Sequence, residues 1–408
     1  MPACRFCRTE MEDVIVDLGA SPLANSYLTP EKKQALEPFF PLTVYFCRAC
    51  GLVQLLEFAA PEDIFTQYDY YSSFSETWLR HARAYAEEMV AEFGLGPASR
   101  IVEIASNDGY LLQYFQALGL SVLGVEPAVN IARAARDKGI PTENVFFGRR
   151  TAQNLVERGF AADLAIGNNV LAHVPDINDF VAGCALLLKP GGLMTFEFPH
   201  LLNLVRETQF DTIYHEHFSY LSLSVVRKIF QAHDLMVFDV RELPTHGGSL
   251  RVFACPEKAG RPVQPRVAGL IEREKAAGLD DFSGYAGFAP AVYEIKAALL
   301  EFLLRARREG RRVMGYGAAA KGNTLLNYAG VKPDLLPLVA DLNPAKQGKF
   351  LPGSRIPVKS PAELMAARPD YVLILPWNIR EEVMAQLAEV RSWGGRFVTA
   401  IPRLEVWP

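Results

Sequence analysis

The chain has 408 residues, is half hydrophobic and 22% charged, and carries a formal net charge of −4. That length suits two or three domains, and the acidic balance offers no basic face, so no nucleic-acid partner is expected. No apolar run reaches the roughly 18 residues of a membrane span, and Met1-Pro-Ala-Cys-Arg5 lacks the charged and apolar regions of an export signal.

A cytoplasmic chain with no membrane partner is therefore expected. Its six cysteines are read for a reducing compartment, where metal binding outweighs disulfides. Four of them form two C-x-x-C pairs, Cys4/Cys7 and Cys47/Cys50, within a first domain set at residues 1–65. Two intervening residues let both thiolates of a pair reach one tetrahedral ion. A redox site needs only one pair, so duplication favours Zn²⁺, and four thiolates leave no open position, which makes the zinc structural. Between the pairs, Asn25 and Tyr27 are polar candidates to face a neighbouring domain.

The second domain is set at residues 66–255. Tyr68, Tyr70 and Tyr71 cluster ahead of a helical pattern from Trp78 to Phe93; at least one phenol is expected at a ligand, with an aromatic packing patch as the alternative. Ile101–Ile104 reads as a buried strand, Ala105–Gly109 as a tight turn, and Tyr110 opens a helix. Open α/β sheets bind ligands at such turns. A second strand ends at Glu126-Pro127, placing a carboxylate where it can accept ribose hydroxyls. The glycine fingerprint of dinucleotide sites is missing, so a nucleoside without phosphates, S-adenosylmethionine, is the expected ligand. Its candidate contacts are Glu103, Ala105, Asn107, Asp108, Gly109, Glu126 and Pro127, with Asn168 and Asn169 at the end of a fourth strand. A third strand is expected at Val145–Gly148. Lys189–Gly192 reads as a sharp turn before a fifth strand, Leu193–Phe198. The alternation of strands and helices implies a parallel sheet and resembles the class I methyltransferases.

Tyr214-His215-Glu216-His217-Phe-Ser-Tyr220 follows. Histidines two apart share a face only on an extended strand, which disfavours the helical metalloprotease pattern. A general base fits better, since neutral imidazole is poised near pH 7; structural histidines are the alternative. Thr245–Arg251 is a Gly-rich loop leading into a strand, with His246 and Arg251 as candidate substrate contacts.

The third domain is set at residues 256–408. Pro256–Pro265 reads as a loop and Val292–Glu309 as a helix. Strand, Gly-rich turn and helix recur at Arg311–Asn323, with Gly315 and Gly317 for close approach and Lys321 as a counter-charge for phosphate. A P-loop is excluded because Gly322-Asn323 follows the lysine. Further strands are expected at Leu338–Asp341 and near Asp370, ending at Trp377-Asn378. Tyr316, Lys321, Asn323 and Asn378 are candidate substrate contacts of a Rossmann-like domain. An NAD site using Asp341 is the alternative, with no hydride chemistry signalled elsewhere.

Together the Cys pairs and segments 101–109, 167–175, 214–220, 246–251 and 315–323 resemble the sugar C-methyltransferases, and the resemblance covers nearly the whole chain. It implies an α/β protein with a small zinc-binding domain, a class I methyltransferase domain and a C-terminal Rossmann-like domain that holds the nucleotide of the substrate. It implies S-adenosylmethionine, a structural zinc and a nucleotide-linked 4-keto-6-deoxysugar methylated beside the ketone, at C3 in preference to C5. In that family's pattern His217 is the base, and Tyr214, Glu216, His173 and either Tyr68 or Tyr70 surround the reacting carbon. A monomer is expected. The rival readings are a non-catalytic sensor of nucleotide sugar or methyl donor, and an O- or N-methyltransferase.

Overall fold

The computed structural model describes residues 2–60, 65–66 and 71–408; Tyr68 and Tyr70 lie outside the described residues. Among those residues the strands form three sheets. The first is antiparallel, in the order β1 (Asp13–Ser21), β2 (Phe40–Phe46), β3 (Val53–Leu55) and β9 (Ser219–Tyr220). Its last strand comes from the Tyr214–Tyr220 run, pairing Val53 with Tyr220 and Gln54 with Ser219. The run is thus stitched to the N-terminal sheet although it lies far along the chain.

The central sheet has seven strands. From one edge they run β6 (Thr142–Glu143), β5 (Ser121–Val125), β4 (Arg100–Ile104), β7 (Ala162–Asn168), β8 (Leu188–Pro199), β11 (Ser249–Pro256) and β10 (Leu235–Leu243). The first five are parallel, and β11 is antiparallel to both neighbours. Residues 101–104 of β4 are all buried, as expected of a strand covered on both faces. The helix Glu76–Phe93 lies against this sheet. Ser75 caps it by accepting the Trp78 N–H at 3.2 Å. Its buried Ala82, Tyr85, Ala86 and Met89 repeat at helical spacing on one face.

The third sheet runs β14 (Val358–Lys359), β13 (Val339–Ala340), β12 (Val313–Tyr316), β15 (Tyr371–Ile374), β16 (Arg396–Thr399) and β17 (Glu405–Trp407). Only β17 is antiparallel. One hydrophobic core joins this part to the first sheet, with Phe46 against Tyr285 at 5.4 Å between ring centroids. Burying each such ring contributes about 1.5–3 kcal/mol.

Three expectations change. The third central strand is Thr142–Glu143 rather than 145–148, because Phe146 and Phe147 turn into a cavity. Lys189–Gly192 is a bulge inside β8: the register steps from Leu188 to Leu193 while β7 steps only from Ala162 to Leu164. Pro265 starts the helix Pro265–Ala276 instead of closing a loop, since proline has no N–H to lose at a first helical turn.

Candidate active site

A cavity of about 590 Å³ opens where the three parts meet. Asn25 and Tyr27 of the N-terminal part line it, as do Asn107, Glu126, His173 and His217 of the centre, and Lys321, Lys346 and Asn378 of the C-terminal part. It has the size of a small-molecule site with a few convergent polar groups.

At one end lies the turn after β4. Ala105 (φ 55°), Asn107 (φ 49°) and Gly109 (φ 77°) all take left-handed backbone. At Gly109 a Cβ would stand 2.8 Å from Ile140, so glycine is required for close packing as well as for conformation. The Glu126 carboxylate accepts the N–H of Asn107 at 3.0 Å and of Ala128 at 2.9 Å. Burial pushes its pKa up to about 7. Asn107 also accepts the Ser72 N–H at 2.9 Å, and Ser73 donates to Asp108. The turn therefore holds the chain ahead of Trp78 in place.

The middle of the cavity carries the histidines. His217 Nδ1 lies 2.7 Å from the Thr212 carbonyl oxygen. A carbonyl only accepts, so Nδ1 carries the proton and Nε2 keeps a free lone pair. The rings of Tyr214 and His173 stand 4.0 Å and 4.7 Å from that of His217. Burial, then the neighbouring His173, hold the His217 pKa well below the usual range, and burial takes His173 down to about 4. His215 leaves this cluster for the Pro41 carbonyl at 3.1 Å. Glu216, behind the wall, accepts both hydrogen bonds of the Asn25 amide, at 2.7 and 2.9 Å, which fixes the orientation of the Asn25 side chain.

The far end is cationic. Lys321 donates to Asn378 at 2.7 Å and lies 4.8 Å from the Trp377 ring. Trp377 donates to the buried Asp211 at 2.8 Å, whose pKa burial pushes up to about 6. Lys346 donates to the Ala318 carbonyl at 2.7 Å, and the Tyr27 hydroxyl donates to the same oxygen at 2.5 Å.

Of the residues singled out from sequence, Ala105, Asn107, Glu126, Pro127, Asn168, Asn169, His173, Tyr214, His217, His246, Lys321 and Asn378 line the cavity. Others sit behind it. Glu103 is buried and raised well above the carboxylate range by burial, and Asp108 pairs with Lys138 at 2.8 Å. Arg251 pairs with Glu197 at 2.5 Å and Glu88 at 2.9 Å. Tyr316 donates to Gln386 at 3.0 Å and Asn323 to the Ala24 carbonyl at 2.6 Å. Lining residues that no motif announced include Trp78, Thr212 and Lys346. Trp78 stacks on His81 at 4.9 Å and meets His246 edge-on at 5.2 Å.

Three family models match in series: a "Putative zinc binding domain" at residues 4–65, a methyltransferase domain at 78–240 and a C-methyltransferase C-terminal domain at 244–402. The chain is 37% identical over 403 residues to the C-methyltransferase NovU of Streptomyces niveus, covering 99% of this chain and 96% of that one. This chain belongs to the C-methyltransferases. A ubiquinone biosynthesis O-methyltransferase of Chelativorans sp. (strain BNC1) is 31% identical over 116 residues, 26% of this chain and 46% of its own. Magnesium protoporphyrin IX methyltransferase (ChlM) of Synechocystis PCC 6803, solved with bound SAM, has 15% identity and a TM-score of 0.33 over 43% of this chain and 78% of that one.

The C-methyltransferase uses S-adenosylmethionine, and the cavity has features that fit it. Glu126 is buried and faces the lumen, while Asn168 Oδ1 and His173 Nδ1 are buried without a partner among the described residues. The four N-terminal cysteines fit zinc. Their sulfurs all lie within 4.8 Å of one another, with Cys4–Cys50 at 3.6 Å and Cys7–Cys47 at 3.5 Å. A tetrahedral Zn–S₄ site has sulfurs about 3.8 Å apart. All six cysteines are free. At Gly317 (φ 86°) a Cβ would run into Pro376, so glycine is required at this turn. Among the described residues no helix is long and apolar enough to cross a membrane.

Proposed function

We propose that this C-methyltransferase methylates the carbon beside the ketone of a nucleotide-linked 4-keto-6-deoxysugar, at C3 in preference to C5, as a cytoplasmic monomer. The single observation that carries the reading is His217, a neutral imidazole whose Nδ1 is spent on Thr212 and whose lone pair is free at the wall of the cavity. A C–H bond is not nucleophilic until its proton leaves. The ketone makes the adjacent proton acidic, His217 Nε2 takes it, and an enolate remains. Tyr214, beside His217, supplies an O–H to the enolate oxygen, with the phenol of Tyr68 or Tyr70 as a second candidate. Asn25, held by Glu216, orients the sugar, and His173 keeps the surroundings of the base neutral.

When bound, S-adenosylmethionine supplies an electrophilic methyl group at the Glu126 end. Asn107, Glu126, Asn168 and Asn169 hold it there. The nucleotide lies toward the C-terminal part. Lys321 and Lys346 face its diphosphate, and His246 and Asn378 complete the wall. The three domains keep the bounds 1–65, 66–255 and 256–408.

Proton abstraction separates this reading from O- or N-methylation, which needs no acidic C–H. The protein is incubated in heavy water with dTDP-, GDP- and CDP-linked 4-keto-6-deoxysugars and no methyl donor. Deuterium entering beside the ketone of one of them is expected. No such exchange, with methylation at oxygen or nitrogen in a parallel reaction that contains S-adenosylmethionine, overturns the proposal.

A further inference from the structure

Arg5 stands inside the first thiolate pair, yet its guanidinium reaches into the central domain. One terminal nitrogen donates to the Pro175 carbonyl at 2.8 Å, the other donates to the Leu55 carbonyl, and the guanidinium carbon stands 5.2 Å from the Phe218 ring centroid. Pro175 is two residues from His173, and Phe218 is next to His217. The guanidinium thus spans the two segments whose imidazoles face each other.

The other end of Arg5 is anchored at the metal knuckle. Its backbone N–H donates to Gln54 Oε1 at 2.9 Å, and Gln54 Nε2 donates to Cys4 Sγ at 3.1 Å. Asn178 donates to the Phe6 carbonyl at 2.9 Å and the Arg5 carbonyl at 3.3 Å, tying the knuckle to the helix that follows Pro175. The Leu55 N–H in turn donates to the Phe218 carbonyl at 3.0 Å. Arg5 is only 8% exposed. Burying a charge is costly, and an apolar side chain would pack there at lower cost.

We propose that Arg5 is a positioning residue: held by the zinc knuckle, it sets the separation of the segments that carry His173 and His217. Through it the structural metal governs the geometry of proton abstraction. This rests on the reading of His217 as the base. Displacing a reacting group by about 1 Å can cost on the order of 100-fold in rate.

The test uses the zinc-loaded full chain with Arg5→Met, which removes the fork, and Arg5→Lys, which keeps the charge but cannot reach both carbonyls. Zinc content, S-adenosylmethionine affinity, the ¹⁵N imidazole spectrum of His217 and deuterium exchange into dTDP-4-keto-6-deoxyglucose are read for each. Expected are wild-type zinc content, methyl-donor affinity within about twofold of wild type, loss of the single His217 tautomer, and exchange lowered roughly 10- to 100-fold in Arg5→Met, with Arg5→Lys between. Wild-type spectra and exchange in both variants overturn the proposal. So does parallel loss of zinc and methyl-donor binding in both, which would make Arg5 merely structural. If the wild-type chain exchanges no proton of the keto-sugar, the base assignment fails, and the imidazole spectra alone decide Arg5.

Discussion

His217→Asn isolates the proposed base. The asparagine amide can still donate to the Thr212 carbonyl, which in the wild type accepts from His217 Nδ1 at 2.7 Å, but it has no lone pair at the place of Nε2. The internal hydrogen bond, worth about 0.5–1.5 kcal/mol, is therefore kept, and the fold should hold. Catalysis should not. A positioned base contributes about 10²–10⁴ in rate, or roughly 3–5 kcal/mol of barrier. Because His217 lies by Thr212 and not at the Glu126 turn, methyl-donor affinity should stay within about twofold of wild type. The assay pairs initial rates of methyl transfer with calorimetric titration of S-adenosylmethionine. Turnover within about threefold of wild type would remove His217 from the role, since a factor so small is below what any positioned base supplies.

Further expectations follow from the two ends of the cavity. Glu126 ionises with a pKa near 7 because it is buried, and the ionised form is the better acceptor for ribose hydroxyls. Affinity for S-adenosylmethionine should therefore weaken as pH falls below about 7, by at most tenfold per unit; calorimetry on Glu126→Gln should show weaker binding without that slope. Lys321→Met removes a cation from the proposed diphosphate end, so KM for the sugar nucleotide should rise about 10- to 100-fold, the loss of one charge-assisted hydrogen bond, with a smaller change in kcat. Trp377→Phe takes the N–H from the buried Asp211 and should cost about 1–3 kcal/mol in a denaturant titration. The pKa of Asp211 is raised to about 6 in the fold, so its protonated form favours folding. That stability is present at low pH and is lost as pH rises through about 6. The variant raises the pKa further, and its extra cost should therefore appear mainly above pH 6.

Much of this cavity's lining is legible in the sequence, and the remainder has physical reasons for being hidden. The turn Ala105–Gly109 and Glu126 are local signals, a strand running into a tight turn and a carboxylate one strand later, and both meet at the cavity. The cysteine pairs likewise announce their geometry by spacing. Arg251 resembled a ligand arginine because charge on a Gly-rich loop looks available. Its strand register places it directly opposite Glu197 of β8, and cross-strand pairing cannot be deduced from one strand alone. The apolar run Val145–Phe147 read as a strand, yet Phe146 and Phe147 cover a ligand cavity, since hydrophobicity reports burial and not what does the burying. Asn25 and Tyr27 stood out as polar residues awaiting a neighbour. Their partners, Glu216 and Ala318, come from remote segments that only the tertiary fold brings near. The tautomer of His217 depends on Thr212, at the end of the short 3₁₀ turn Phe210–Thr212, which has no sequence periodicity to reveal it.

The most direct measurement is mass spectrometry on protein incubated with S-adenosylmethionine and a panel of dTDP-, GDP- and CDP-linked 4-keto-6-deoxysugars. The account predicts that one of them gains the mass of a single CH₂ group and that NMR of the product places the new methyl on the carbon beside the ketone. No gain on any sugar while S-adenosylmethionine still binds, or a methyl found on oxygen, would contradict it.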